Sequence, residues 1–423
     1  MRIALCLMLC ASLANAADQW IDPNPQPAPP QIPDRSFNLR DFGAVGDGKT
    51  ANTDAFRHAI EQIARAGGGR LVVPKGVYRT QPFALCSNLD LHLDAGALIQ
   101  APANFADYDL PDPATMKNQD DVKARVPKPL PLISGKNLHD LAITGEGTID
   151  GSGEIWWQWS ERAARGQPNR AIYPRQHMIV ISNCQRLHIQ GVTLKNSPMF
   201  HLVPTDVSDL LIEQIKIATP IDSPNTDGID PTRCSNVIIR DCDFDTGDDD
   251  IAIKSGGEKI LVENCRVHHG HGISIGSETS AGISDMLVRH CTFNQTDNGL
   301  RIKSMRGAGG LVHNIHYTDI QMTDVKNAIV LDLLYTDANR PNFRGDPSKL
   351  PKIEHIQIDH VSIENSHNAG KIVGLPDSHI DDVTLRDVRI SAQNDFVIQN
   401  ADRITFDHVD REIASNKATT QAK

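Results

Sequence analysis

Three aspartates, one histidine and two cations carry the chemistry that can be read from this chain. Asp227, Asp249 and His271 follow one another at steps of 22 and 22 residues, and Asp248 adjoins Asp249. Each of the three stands just before a short alternating segment, at 228–232, 250–255 and 272–277. A fourth such segment, 299–304, holds Arg301 and Lys303. If the chain folds back on itself once per step, equal steps stack these groups in one row, one strand spacing of ~4.8 Å apart. Glycoside hydrolysis needs one protonated carboxylic acid and one ionised carboxylate. Close like charges drive pKa values apart and so supply both forms, and a neighbouring imidazole tunes the proton. Two cations have no task on a neutral sugar, whereas Arg takes a carboxylate bidentately. The set therefore points to a glycosidase acting on an acidic polysaccharide. Taken singly, each member has a plainer explanation: a solvated acidic turn at 246–251, a loop histidine between two glycines, a charged strand face at 301–303. Their arrival in register favours a site.

The elements that must position these residues form a repeat. The pattern apolar-x-apolar-x-x-apolar-x-apolar occurs at 187–194, 210–217, 237–244, 260–267 and 286–293. It continues at 315–322, 356–363, 383–390 and from 404 onward. Its sixth position falls on Val192, Ile215, Cys242, Cys265, Cys291 and Ile320, at steps of 23, 27, 23, 26 and 29. Short alternating strands at this period, with no helical pattern and no leucine-rich comb, predict an all-β, single-domain right-handed parallel β-helix. In the second strand of each coil Ile229, Ile251, Ile273 and Leu300 point inward, as do Ile253, Ile275 and Ile302. Asp230, Ala252, Ser274, Arg301 and Lys303 are then expected on the outer face. Cys242, Cys265 and Cys291 share one repeat position, so they should stack inward as small apolar groups. A column of single cysteines lacks the paired spacing of a metal site.

Met1 and Arg2, an apolar stretch 3–13 and Ala14-Asn15-Ala16 read as a secretory signal peptide, 1–16, which makes the enzyme extracellular. Its removal leaves six of the eight cysteines, in a compartment that permits disulfides whose pairing stays open. Residues 17–33, with Pro23, Pro25, Pro27, Pro29, Pro30 and Pro33, form an extended arm. The β-helix catalytic domain is expected over 34–412 and a polar tail over 413–423. Asn52 starts a short capping helix running to Ala64, with Phe56, Ile60 and Ile63 on its apolar face. No later apolar run is long enough to span a membrane. A net charge of −11 and 5% aromatic residues argue against a nucleic-acid partner, and a monomer is expected. Trp156, Trp157 and Trp159 are assigned to packing rather than to stacking on sugars.

Asn225-Thr226-Asp227-Gly228, Gly247-Asp248-Asp249, Gly270-His271-Gly272 and Arg301-Ile302-Lys303 resemble, in order and spacing, the four signatures of polygalacturonases, glycoside hydrolase family 28. The segment 147–153 with Trp156 and Trp157 also resembles that family, and the opening 38–48 resembles pectin-active β-helices more widely. The resemblance spans nearly the whole mature chain and is nearest to the bacterial endo-acting members. It implies inverting hydrolysis of α-1,4-galacturonosyl linkages in homogalacturonan, an acidic plant polysaccharide, with no cofactor and no metal. By that resemblance Asp248 is the general acid, Asp227 and Asp249 hold and activate the water, and His271 supports the protonation state of Asp248. Arg301 and Lys303 bind galacturonate carboxylates, Asn225 shapes the subsite and Tyr335 contacts sugar. Asp250 departs from the pattern, since many relatives have Cys or Asn there; it is expected to face the site and to alter the pH profile. Spacing alone does not give the stereochemistry. Adjacent rungs lie nearer the retaining separation than the inverting one of ~6.5–9.5 Å, so inversion follows from the resemblance. Endo action is expected because no additional domain closes one end of a groove. Still open are an exo-polygalacturonase, a rhamnogalacturonan hydrolase, a calcium-dependent pectate lyase and a noncatalytic glycan-binding β-helix.

Overall fold

The repeat places two polar residues side by side, and a flat strand would then turn its next apolar residue to solvent. A computed structural model, describing residues 20–167, 170–335 and 346–414, shows how this is resolved. The second polar residue is a left-handed corner. Gly191, Gln214, Asp241, Asn264, His290, Asp319, His360, Asp387 and His408 all have positive φ. Gly, Asn, Asp and His are the types that tolerate this conformation best. The chain bends there, and apolar residues on both sides of the corner face one interior. Leu187, Leu210, Val237, Ile260, Met286, Ile315, Ile356, Val383 and Ile404 pair in one parallel column. The result is a right-handed parallel β-helix.

Leu89 and Leu141 extend that column toward the N-terminus. The period hides them, because insertions lengthen the steps to 52 residues (89 to 141) and 46 residues (141 to 187). Cys242, Cys265 and Cys291 stack inward, each at most 1% exposed. The six described cysteines, with Cys86, Cys184 and Cys234, are free thiols. Helix Thr53–Arg65 covers the N-terminal end with Phe56, Ile60 and Ile63 buried. Asn52 precedes it as expected, but its side chain is bonded to both Val45 N (2.7 Å) and Val45 O (3.2 Å) and so pins the preceding loop.

The described part of the arm, from Trp20, lies along another left-handed corner column. Gln31 N donates to Asp140 Oδ1 (2.7 Å), Gln26 N to Asn236 Oδ1 (2.6 Å) and Ile21 N to Asn314 Oδ1 (3.1 Å). Asn236 and Asn314 return Nδ2 bonds to the carbonyls of Gln26 and Ile21. Five residues of polyproline chain advance ~15.5 Å, and three rungs advance ~14.4 Å. The arm's contacts therefore match every third rung, and it runs against the direction in which the solenoid grows.

The described residues of segments 101–132 and 151–178 depart from the solenoid and pack a second apolar core. Trp156 is fully buried there, its ring 4.8 Å from Phe105 and 5.3 Å from Tyr108. Trp157 Nε1 donates to Ser197 O (3.0 Å), and Arg170 lies over the Trp159 ring. Residues 1–16 and nearly all of 413–423 fall outside the described residues. Among the described residues no helix is long and apolar enough to cross a membrane.

Candidate active site

The site lies where four successive coils turn. Ile229, Ile251, Ile273 and Leu300 pair in register beneath it. Gly228 N donates to Asp249 O (2.8 Å) and His271 N to Asp248 O (2.7 Å), so the expected row forms. Two glycines permit the close turns. A Cβ on Gly247 would strike Ser223, and Gly272, at φ +75°, lies against the carbonyls of Asn298 and Gly299.

Asp249 is at the bottom of the site, 1% exposed. Its Oδ2 accepts from Lys303 Nζ (2.7 Å) and its Oδ1 from Arg301 Nη2 and Ser274 Oγ (3.1 Å). Burial would raise its pKa, but the charges of Arg301 and Lys303 hold it well below the usual carboxylate range. The residues expected on the outer face do point away from the apolar core, yet all are covered. Asp230, Ala252, Ser274, Arg301 and Lys303 are each at most 8% exposed. The cationic ends of Arg301 and Lys303 are engaged by Asp249, which draws them down from the groove. Lys303 Nζ also lies 5.2 Å from the ring centre of the half-buried Tyr335.

Asp248 is the most accessible of the three acids, its side chain 21% exposed. Its Oδ1 lies 3.0 Å from His271 Nδ1, and its Oδ2 accepts a long bond from Asn225 Nδ2 (3.4 Å). Arg175, which sequence reasoning missed, orients Asn225 by donating to its Oδ1 (2.7 Å). Asp297, also missed, lies 3.4 Å from His271 Nε2. Burial opposes a charged His271, but bonding to Asp248 and Asp297 lifts its pKa to about 10. Burial is the largest single influence on Asp248 and raises it, but the bond and charge of His271, with the charge of Lys303, together outweigh it and lower the net value. A general acid needs its proton on Asp248, whereas this geometry rests the pair's proton on His271. Nδ1 and Oδ1 are 3.0 Å apart, so the proton can pass directly from His271 to Asp248.

Asp227, 3% exposed, accepts from Lys254 Nζ (3.1 Å), which also donates to Asp230 Oδ2 (2.6 Å). Lys254 and Asp230 were not singled out as site residues. The signal was present. Ile253, Ile275 and Ile302 are in register, so Lys254, Gly276 and Lys303 share a column two rungs deep.

Asp250 does not face the site. It is fully buried, accepting from Gly272 N at Oδ2 (2.9 Å), with Oδ1 2.8 Å from Thr246 Oγ1. Thr246 Oγ1 has one proton for two acceptors, Asp250 Oδ1 and Asp248 O (2.9 Å). Burial pushes the pKa of Asp250 well above the usual carboxylate range, and in its protonated form Oδ1 can donate to Thr246 while Thr246 donates to Asp248 O.

Asp248, Asp249 and His271 present possible ligand atoms within 4.8 Å of one another. The donor set does not suit a divalent cation. Both Asp249 oxygens already meet cations, and His271 Nδ1 shares a proton with Asp248. Arg162, Arg165 and Arg175, from the 151–178 segment, share a cleft of about 500 Å³ with Asp248 and His271.

One partly exposed and two buried carboxylates, gathered on a parallel β-helix, suit a glycoside hydrolase. A profile of "Glycosyl hydrolases family 28" matches residues 69–409. The chain belongs to family 28 of the glycosyl hydrolases. It is 32% identical over 374 residues to "Probable polygalacturonase" of Vitis vinifera, covering 84% of this chain and 74% of the relative. It is 28% identical to "Endo-polygalacturonase" of Pectobacterium parmentieri, covering 91% and 94%. The crystal structure of a hyperthermoactive exopolygalacturonase from Thermotoga maritima superposes with a TM-score of 0.77 at 30% identity, covering 91% of this chain and 94% of that one.

Proposed function

We propose that this protein is exported and hydrolyses α-1,4-galacturonosyl linkages of polygalacturonate by an inverting acid/base mechanism. The observation that carries the reading is the convergence of Asp227, Asp248, Asp249 and His271 from three successive coils beside Arg301 and Lys303 of the fourth. Asp248 alone is open enough to meet a glycosidic oxygen and gives it the proton it shares with His271. Asp249, ionised by its two cations, and Asp227 orient and deprotonate the water. Arg301, Lys303, Asn225 and Tyr335 are assigned to binding the galacturonate around the scissile bond. Export rests on residues 1–16, and a monomer is part of the proposal because a groove on one solenoid needs no second chain.

Endo action is the first reading, as for the relative from Pectobacterium parmentieri. A second reading, exo action, is favoured by the second core, which raises a wall bearing Arg162, Arg165 and Arg175 beside Asp248. Viscosity and reducing ends, followed together during digestion of polygalacturonate, test the two. Endo action predicts viscosity collapsing well before reducing ends accumulate. Parallel progress, with monomer or dimer as the first product, contradicts it and supports the wall.

A further inference from the structure

Behind the row of acids lies a buried charge cluster, two of whose members, Lys254 and Asp230, the mechanism above leaves unused. Lys254, from strand Ile251–Glu263, extends between two carboxylates, Asp227 Oδ2 at 3.1 Å and Asp230 Oδ2 at 2.6 Å. Its ammonium also stands 4.1 Å from the centre of the Phe200 ring, so the face of one aromatic closes the remaining side. Asp230 is 1% exposed, and its second oxygen, like that of Asp227, has no hydrogen-bond partner among the described residues. Burying two carboxylates and one ammonium with two oxygens unmatched is costly. Such a cluster at the back of a site points to a task in setting one of its members.

The geometry points to Lys254, braced by Asp230, as the positioning residue of Asp227: it fixes Oδ2 and leaves only Oδ1 to accept from the attacking water. The inference rests on the base role proposed above for Asp227. The charged groups around Asp227 are Lys254, Asp230, Asp248, Asp249 and Arg175, while Lys303 faces Asp230 and His177 lies near Lys254. Asp249 already has two cations of its own, so Lys254 is the cation that directly opposes the proton on Asp227. Burial raises Asp227 far above the ordinary carboxylate range, Lys254 pulls it back, and Asp230 pushes it up again. Lys254 and Asp230 are thus opposing levers on one titration. A base must be ionised, so the acid limb of kcat/KM follows the pKa of Asp227.

The test is the pH dependence of kcat/KM on polygalacturonate for wild type, Lys254→Met, Lys254→Arg and Asp230→Asn, with the melting temperature of each. Removal of the cation should move the acid limb of K254M up by about one pH unit or more, with KM changed less than about threefold. K254R should restore the limb to within about half a unit of wild type, and D230N should move it down. Opposite shifts in K254M and D230N are not produced by loss of stability alone. If K254M does not fold, the D230N shift decides. An unmoved limb in D230N, or limbs moving the same way in both, overturns the inference while wild-type hydrolysis still stands. Absence of hydrolysis by wild type overturns both this inference and the proposed function.

Discussion

At the scale of residues, the site divides its acids by exposure and by partner. Asp249 is sheltered and held ionised by Arg301 and Lys303, whereas Asp248 is open and shares a proton with His271. Asp248→Asn should therefore keep substrate binding and lose hydrolysis by about 10²–10⁴ in kcat. Binding and cleavage lost together would remove Asp248 from the acid role, and cleavage retained would do the same. Asp250 gives a second prediction of a different kind. Its folded-state pKa lies above its unfolded value of about 3.9. The stability it contributes is then fully present below about pH 4 and declines as pH rises toward the folded value, by about 1.4 kcal/mol per unit. Asparagine can repeat both bonds without the charge, giving Nδ2 to Thr246 and accepting from Gly272. Asp250→Asn should melt with wild type at pH 4 and above it at pH 8, with activity kept. A variant that melts lower at pH 8 would contradict a protonated Asp250.

At the scale of elements, the corner explains both what sequence could reveal and what it hid. The paired polar positions of each repeat became left-handed bends, so a regular period announced nine rungs and their inward faces. Leu89 and Leu141 escaped because insertions stretched their steps. The aromatics of the second core are divided between two insertions, 101–132 and 151–178, and nothing in a local pattern joins Phe105 to Trp156. The row of Asp227, Asp249 and His271 was legible from equal spacing. Lys254 was legible in principle, since it shares a column with Lys303, but its value appears only once Asp227 and Asp230 are seen on either side of it. The arm's proline content marked it as extended, while its match to every third rung needed the corner asparagines in place. Five hydrogen bonds tie it to Asp140, Asn236 and Asn314. At about 1 kcal/mol each, offset by ordering the arm, deleting residues 17–33 should cost about 2 kcal/mol and lower the melting temperature with kcat unchanged. A deletion that melts as wild type would show the arm to be ornamental.

At the scale of the whole molecule, the solenoid brings acids distant in sequence onto neighbouring turns and leaves them on its outer face, where a polymer can lie. Family 28 membership sets the calcium-dependent lyase and the noncatalytic glycan binder aside. The engagement of Asp249 by two cations makes the same point physically, because the place a divalent ion would take is already neutralised. The most direct measurement of the central claim is product analysis of polygalacturonate digested with and without EDTA, reading reducing ends, ultraviolet absorbance and product size together. The account predicts saturated oligogalacturonates, reducing ends without absorbance, and the same rate in the presence of chelator. Absorbance that grows only when calcium is supplied would contradict it.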